Sequence, residues 1–319
     1  MEKPINTPLQ PQACGLCGAK DYLVVSDRDA KSGDPLEIGL CSGCGLVQQT
    51  QRPTSEDLQI YYSHHYRTDY KKNYEPKLKY VFRAGLAARN RMRFLNHAQL
   101  LETMGGRKFL DVGAGGGEMV YAAQRAGLKA IGIEPNQGYS SFAREAYNTE
   151  IATSGLDELQ QSGFAIITMF HVLEHMPDPL AVFRRLFGLL DADGHLLVEV
   201  PNIEQADASP SNIFFKAHLY YFSKATLLAA ASLGFEPIQI EDQGNLRILF
   251  RRKSTMTPLV LPSQDTVAHT RLRLSQKGWG EYLTVGGGWR RPFQRLSNRA
   301  RETLNARGTP LETLERALA

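Results

Sequence analysis

The sequence predicts an α/β chain: a doubly wound, mostly parallel sheet with an antiparallel edge strand, a small N-terminal metal ribbon and a helical C-terminal tail. Three observations lead there. Short apolar runs alternate with amphipathic helical stretches from residue 108 to 252. The first run, residues 109–112, enters a glycine-rich turn at 113–117. All four cysteines lie in two C-x-x-C-G pairs close to the N-terminus.

Bulk properties bound the rest. A chain of 319 residues with 42% hydrophobic and 22% charged residues matches an ordinary globular protein of one to three domains. The surplus of 37 basic over 33 acidic residues is too small to argue for a nucleic-acid partner. The first twelve residues are polar and hold no secretory apolar core, and the longest weakly apolar stretch, 225–235, is too short to span a bilayer. The expected compartment is therefore cytoplasmic, where disulfides are disfavoured.

The ribbon is expected over residues 1–52. Cys14 and Cys17, then Cys41 and Cys44, each flank two residues, so one tight turn presents both sulfurs to one metal. Four thiolates complete a tetrahedral, closed site of structural Zn2+, which folds a segment too small for its own core. Two disulfides, a redox pair and a nucleic-acid-binding ribbon are the alternatives; few clustered Lys or Arg residues speak against the last. Strands are expected over 22–25 and 36–40. A connector follows over 53–104. It carries Tyr61, Tyr62, Tyr66, Tyr70, Tyr74 and Tyr80, then a helical pattern through Val81, Phe82, Leu86, Met92, Leu95, Leu100 and Leu101. These aromatics are expected to pack the ribbon onto the main domain; a lid using Tyr62 or Tyr66 is the alternative.

The main domain is expected over 105–253. Strands fall at 109–112, 129–133, near 149–152, at 164–170 and at 195–200, with helices over 118–126, 137–147, 179–190 and 223–233. A turn is expected over 191–194, and strands over 235–241 and 246–251 form a closing hairpin. The first turn is unlike a dinucleotide site, which wants a third glycine where this chain has Glu118. A carboxylate there opposes a diphosphate and suits a phosphate-free cofactor with a sulfonium and an α-amino group, S-adenosyl-L-methionine. Asp111 is placed to bind the amino group, Gly113 and Gly115 to let the backbone approach, and Glu134 to take both ribose hydroxyls.

Residues 108–252 resemble a Rossmann-like class I S-adenosylmethionine-dependent methyltransferase. Asp111, Val112, Gly113, Ala114, Gly115, Gly116 and Gly117 match its first motif; Ile133, Glu134 and Pro135 match its ribose-binding strand end. The resemblance implies cofactor contacts from Asp111, Gly113, Ala114, Gly115, Gly117, Glu134 and Pro135. The cysteine ribbon with Tyr61, Tyr62 and Tyr66 resembles a subgroup with an N-terminal zinc-binding domain, whose members often modify sugars or secondary metabolites. Residues 171–175, His-Val-Leu-Glu-His, also match an inverted zinc-peptidase motif, but that belongs on a long helix and here Pro177 and Pro179 intervene. Phe170 and His171 are expected to line the methionine half of the cofactor. His218 is expected as catalytic base and His175 as the second catalytic candidate; the competing reading of each histidine is a backbone hydrogen bond that holds its loop. A metal held by His171, Glu174, His175 and His218 is a lesser alternative. In sugar C-methyltransferases of the subgroup a glutamate precedes the substrate-facing histidine; here Ala217 stands there, which weakens carbon methylation.

The implied activity is methyl transfer to a small polar acceptor, chiefly a hydroxyl of a sugar, such as a nucleotide sugar, or of a secondary-metabolite precursor. Sugar C-methylation is the runner-up, a non-catalytic binding protein the reading from another class, and a nicotinamide enzyme the third. The tail, 254–319, is expected to hold helices over 266–282 and 291–319, broken at 286–289. Arg290, Arg291, Arg295, Arg299 and Arg301 lie near Trp289, Phe293 and Leu296. A solvated or packed face, a homodimer contact and a peripheral membrane contact are the readings, in that order.

Overall fold

A computed structural model describes residues 12–53 and 76–319. The lid expectation for Tyr62 and Tyr66 lies outside the described residues. The N-terminal strands are β1 (Tyr22–Arg28), β2 (Pro35–Cys41) and β3 (Val47–Gln49). Helices α1 (Leu78–His97) and α2 (Leu100–Thr103) follow. Of the apolar positions of α1 read from the sequence, Val81, Phe82, Met92 and Leu95 lie on its buried face and Leu86 is half-buried.

The central sheet assembles from β4 (Lys108–Val112), β5 (Lys129–Ile133), β6 (Glu150–Ala152), β7 (Phe164–Phe170), β8 (Leu190–Pro201), β10 (Phe235–Glu241) and β11 (Asn245–Arg252). Its order is β10-β11-β8-β7-β4-β5-β6. Strands β6, β5, β4, β7 and β8 are parallel, as expected of helix-connected units. The closing hairpin lies at one edge, and the strand that opposes the others is β11, one place inside β10. The crossover helices are α3 (Glu118–Arg125), α4 (Gln137–Tyr147), α5 (Pro179–Leu189) and α6 (Lys224–Ala231). Their starts are chemically specified: Asn136, Asp178 and Ser223 each accept a backbone N–H from the first turn, and Pro179 sits where no N–H partner is needed. The turn expected over 191–194 is absorbed into β8 as an irregularity, with Phe164 opposite Leu190 but Ile166 opposite His195. Arg107 pins this stretch through Asp191 and Asp193 at 3.0 and 2.6 Å.

A second sheet joins the two ends of the fold. Its order is β1-β2-β3-β9, where β9 (Tyr220–Tyr221) comes from the segment after β8. Val47 pairs with Tyr221 and Gln48 with Tyr220. The ribbon therefore completes its sheet with a strand of the main domain.

The tail folds as α7 (Gln264–Gln276), α8 (Trp279–Thr284), α9 (Arg291–Asn305) and α10 (Pro310–Leu318). The two expected long helices are each interrupted. The first stops where Lys277 turns extended and its ammonium reaches Gln205 O at 2.6 Å. The second breaks at Gly308, in the left-handed region, after which Thr309 and Glu312 form a capping box. Helix α10 returns to α1, where a Cβ on Gly85 would lie 2.6 Å from Ala317 Cβ. No helix among the described residues is long and apolar enough to cross a membrane.

Candidate active site

The tips of β4 and β5 bring the two predicted acids together with the glycine turn. Gly115 donates its N–H to Glu134 Oε2 at 2.9 Å, and Asn136 donates to Oε1 at 3.0 Å. Gly113 and Gly115 have φ of 72° and 55°, which only glycine holds cheaply. A Cβ on Gly113 would lie 2.4 Å from Val172 Cγ2, so the turn packs directly against the loop after β7. Asp111 is buried and accepts a 2.7 Å hydrogen bond from Thr168 Oγ1. Burial pushes its carboxyl up to about 7, against the lowering effects of Thr168 and Arg91. A buried acid ready to ionise beside a cation fits the amino or sulfonium group of S-adenosylmethionine. Ala114 is buried beneath the turn, where it meets Gly132, and Pro135 is exposed.

Two residues expected at the cofactor, Gly117 and His171, have other partners in the structure. Gly117 donates its N–H to Ala114 O, and its missing Cβ faces Ala143, Ile151 and Thr149; it serves close packing of α3 on the sheet. His171, at φ 54°, has its ring committed to two acids, with Nε2 3.2 Å from Glu199 and Nδ1 3.4 Å from Glu174. Phe170, placed with it along the cofactor, lies under the Arg91 guanidinium at 3.9 Å. Burial opposes protonation of His171, but the two carboxylates outweigh it and raise the ring's pKa to about 9.

Glu199 is the hub that the sequence reading missed. This buried β8 acid takes Arg91 at 2.9 Å and Arg247 at 2.8 Å, and Asn245 donates to it at 3.3 Å. Burial raises its pKa, yet hydrogen bonding to His171 and the two guanidinium charges hold it well below the carboxylate range. One signal was available: Glu199 is the one acid in the apolar run 196–200 of β8, and a buried charge is retained only with partners.

Glu174 sits on the loop after β7 and is 1% exposed, with neither oxygen in hydrogen-bond geometry among the described residues. Oε1 lies 3.9 Å from His175 Nε2 and 4.0 Å from His218 Nε2. Burial opposes its charge, but His171, His175 and His218 hold its pKa down at about 2. His175 Nδ1 contacts Ala217 O at 2.6 Å, which makes Nδ1 the donor and matches the loop-holding reading of this residue. His218 packs against Phe215 in a tilted arrangement, ring centroids 4.0 Å apart. Burial pushes its pKa down to about 3, while the charge of Glu174 works in the other direction. The donor atoms of Glu174, His175 and His218 lie within 4.8 Å of one another, close enough to hold an ion as well as a proton. His218 opens into a cavity of about 400 Å³ walled by Phe215, Tyr221, Asn202, Asn245 and, from α9, Arg291 and Arg295.

The four cysteines converge. Cys14 and Cys44 sulfurs are 3.5 Å apart and those of Cys17 and Cys41 3.4 Å, all four lie within 4.8 Å, and none is in a disulfide. The two turns are alike: Gly18 and Gly45 share φ of 76° and donate to Cys14 O and Cys41 O at 2.9 Å. Two like turns aimed at one point fit a closed tetrahedral metal. The ribbon also grips the His218 segment. Gln49 Nε2 donates to Lys216 O at 3.0 Å and to His218 O at 2.8 Å. Asp29 accepts from Lys216 N at 2.6 Å, and Gly15 packs on the Tyr220 ring.

Sheet order and site define a Rossmann-like methyltransferase architecture. A methyltransferase-domain family model matches residues 79–240, half of the chain, and the chain belongs to that family, with the fold of class I S-adenosylmethionine-dependent methyltransferases. Among curated proteins it is 35% identical over 121 residues to a ubiquinone biosynthesis O-methyltransferase of Methylococcus capsulatus, covering 35% of this chain and 49% of that protein. An Acinetobacter baylyi protein of the same description is 30% identical over 108 residues, covering 31% and 45%. The chain thus spans about half the length of the curated relatives it matches. Among solved structures, a magnesium protoporphyrin IX methyltransferase of Synechocystis with bound SAH aligns at a TM-score of 0.49 and 16% identity, covering 63% of this chain and 100% of that one. An S-adenosylmethionine-dependent methyltransferase of Mesorhizobium loti aligns at 0.42 and 17%, covering 47% and 92%.

Proposed function

We propose that the protein is an S-adenosylmethionine-dependent O-methyltransferase acting on a hydroxyl of a small acceptor seated beside His218. The observation that carries this reading is the buried Glu174 carboxylate, 4.0 Å from His218 Nε2. Bound cofactor supplies an electrophilic methyl on a sulfonium. Asp111 holds its amino group and Glu134 its ribose. His218, neutral because buried, takes the acceptor's hydroxyl proton on Nε2, and Glu174 stabilises the resulting imidazolium. His175, fixed by Ala217 O, positions Glu174 from the other side. The names of the curated relatives support oxygen as the methylated atom, and Ala217 removes the acid that carbon chemistry in the zinc-bearing subgroup uses. Cys14, Cys17, Cys41 and Cys44 hold a structural zinc that shapes the ribbon.

The test is turnover to S-adenosylhomocysteine with two acceptor panels, phenols and nucleotide sugars. His218→Ala should lower kcat by roughly 10²–10⁴ with cofactor affinity unchanged. Tight cofactor binding without turnover on either panel would favour the non-catalytic reading.

A further inference from the structure

The outer face of α9 has the wrong polarity for a helix on a globular surface. Its acidic residue, Glu302, is turned inward, buried and paired with Arg83 at 2.5 Å. Arg291, at the same helix's start, reaches back to Asp207 at 3.2 Å. The apolar side chains point the other way: Phe293 is 67% exposed, Leu296 64% and Leu304 63%. At about 100° per residue, Phe293, Leu296, Ala300 and Leu304 occupy an arc of about 80° on the side opposite Glu302. Arg299 and Arg301 flank that arc, about 100° to either side. The patch continues backward along the chain through the exposed Trp289 and Val285. Arg290 lies over the Trp289 ring at 4.8 Å.

We infer that this face seats on an anionic phospholipid surface, with the apolar stripe entering the acyl boundary and the flanking arginines at the headgroups. Charge selects this occupant over a second copy of the chain. The charged residues beside the stripe are Arg290, Arg299 and Arg301, the last also 5.9 Å from the Phe82 ring, while the helix's one acid, Glu302, is turned away and already paired. Two such faces brought together would repel; lipid phosphates attract them. The stripe alone is an exposed apolar patch of the kind that marks an interaction surface. The opposite side of the same helix gives Arg291, Gln294, Arg295 and Asn298 to the wall of the His218 cavity. A chain seated this way holds that cavity beside the lipid, where an amphiphilic acceptor resides. The inference is independent of which atom is methylated.

The experiment is co-sedimentation of the full chain with vesicles of pure phosphatidylcholine or with added phosphatidylglycerol. Binding is expected to the anionic vesicles, at least tenfold weaker to neutral ones, and to fall as salt rises. Phe293→Ser with Leu296→Ser should weaken it at least tenfold, and Arg299→Glu should remove most of the preference for anionic lipid. Cofactor affinity and thermal midpoint report whether the variants fold; should the double variant fail to fold, the salt and lipid dependence of the unaltered chain decides. No binding to anionic vesicles would overturn the inference. So would a dimer in sedimentation velocity that Phe293→Ser with Leu296→Ser dissolves.

Discussion

The proposed cofactor end and the proposed acceptor end of the site are built on different length scales. Asp111, Gly113, Gly115 and Glu134 come from one strand-turn-helix-strand unit, and Gly115 meets Glu134 across 19 residues of sequence. The acceptor end relies on the ribbon: Gln49 holds His218 O across 169 residues. One end is a local motif that any chain can carry intact. The other exists only when two distant regions have docked.

That contrast can be broken most sharply at Glu134. Glu134→Ala removes the acceptor for Gly115 N–H and Asn136 N–H as well as the proposed ribose contact. Charged hydrogen bonds contribute about 1.5–3 kcal/mol each, so cofactor affinity by calorimetry should fall roughly 10²–10³-fold. An unchanged dissociation constant would end the assignment of this end. At the other end, Gln49→Leu leaves Lys216 O and His218 O without their donor. Stability should drop by about 1–3 kcal/mol in denaturant unfolding. In the same variant kcat should fall roughly tenfold to a hundredfold through misplacement of His218, with cofactor affinity intact. Equal losses in affinity and kcat would show that the two ends are not separable.

The smallest effect sharpens the cofactor end alone. Asp111 has its pKa raised to about 7 from 3.8, so its contribution to stability is full below 3.8 and is lost as pH rises through 7. A cationic ligand reverses that balance by favouring the ionised form. Cofactor affinity should therefore rise about tenfold from pH 6 to pH 8 and flatten above, and Asp111→Asn should abolish the slope. Calorimetry in buffers of different ionisation enthalpy reads the released proton.

Legibility followed the same division. The strands over 164–170 and 235–241 and the helix over 137–147 match their expected bounds, because apolar period, caps and glycines agree locally. The two cysteine pairs and the acids at the strand tips were visible for the same reason. Glu199 falls within the expected strand 195–200 but was given no role, since its partners Arg91 and Arg247 lie on α1 and β11. Gln49 had no signal at all: a glutamine in a short strand gives no hint of the carbonyls it will meet. The long tail helices were overextended because helical periodicity does not register Lys277 reaching Gln205 O or a left-handed Gly308.

The shared strand has a consequence for synthesis. Both cysteine turns emerge early and are complete within their own segment, so a metal can be captured at once. Strand β3, however, keeps one hydrogen-bonding edge open until Tyr220 and Tyr221 leave the ribosome. At about 5–20 residues per second that interval is roughly 10–30 s, long enough for an unpaired edge to find a foreign strand. The nascent chain is thus most vulnerable to aggregation midway through translation, and slowing elongation before codon 220 would prolong that window.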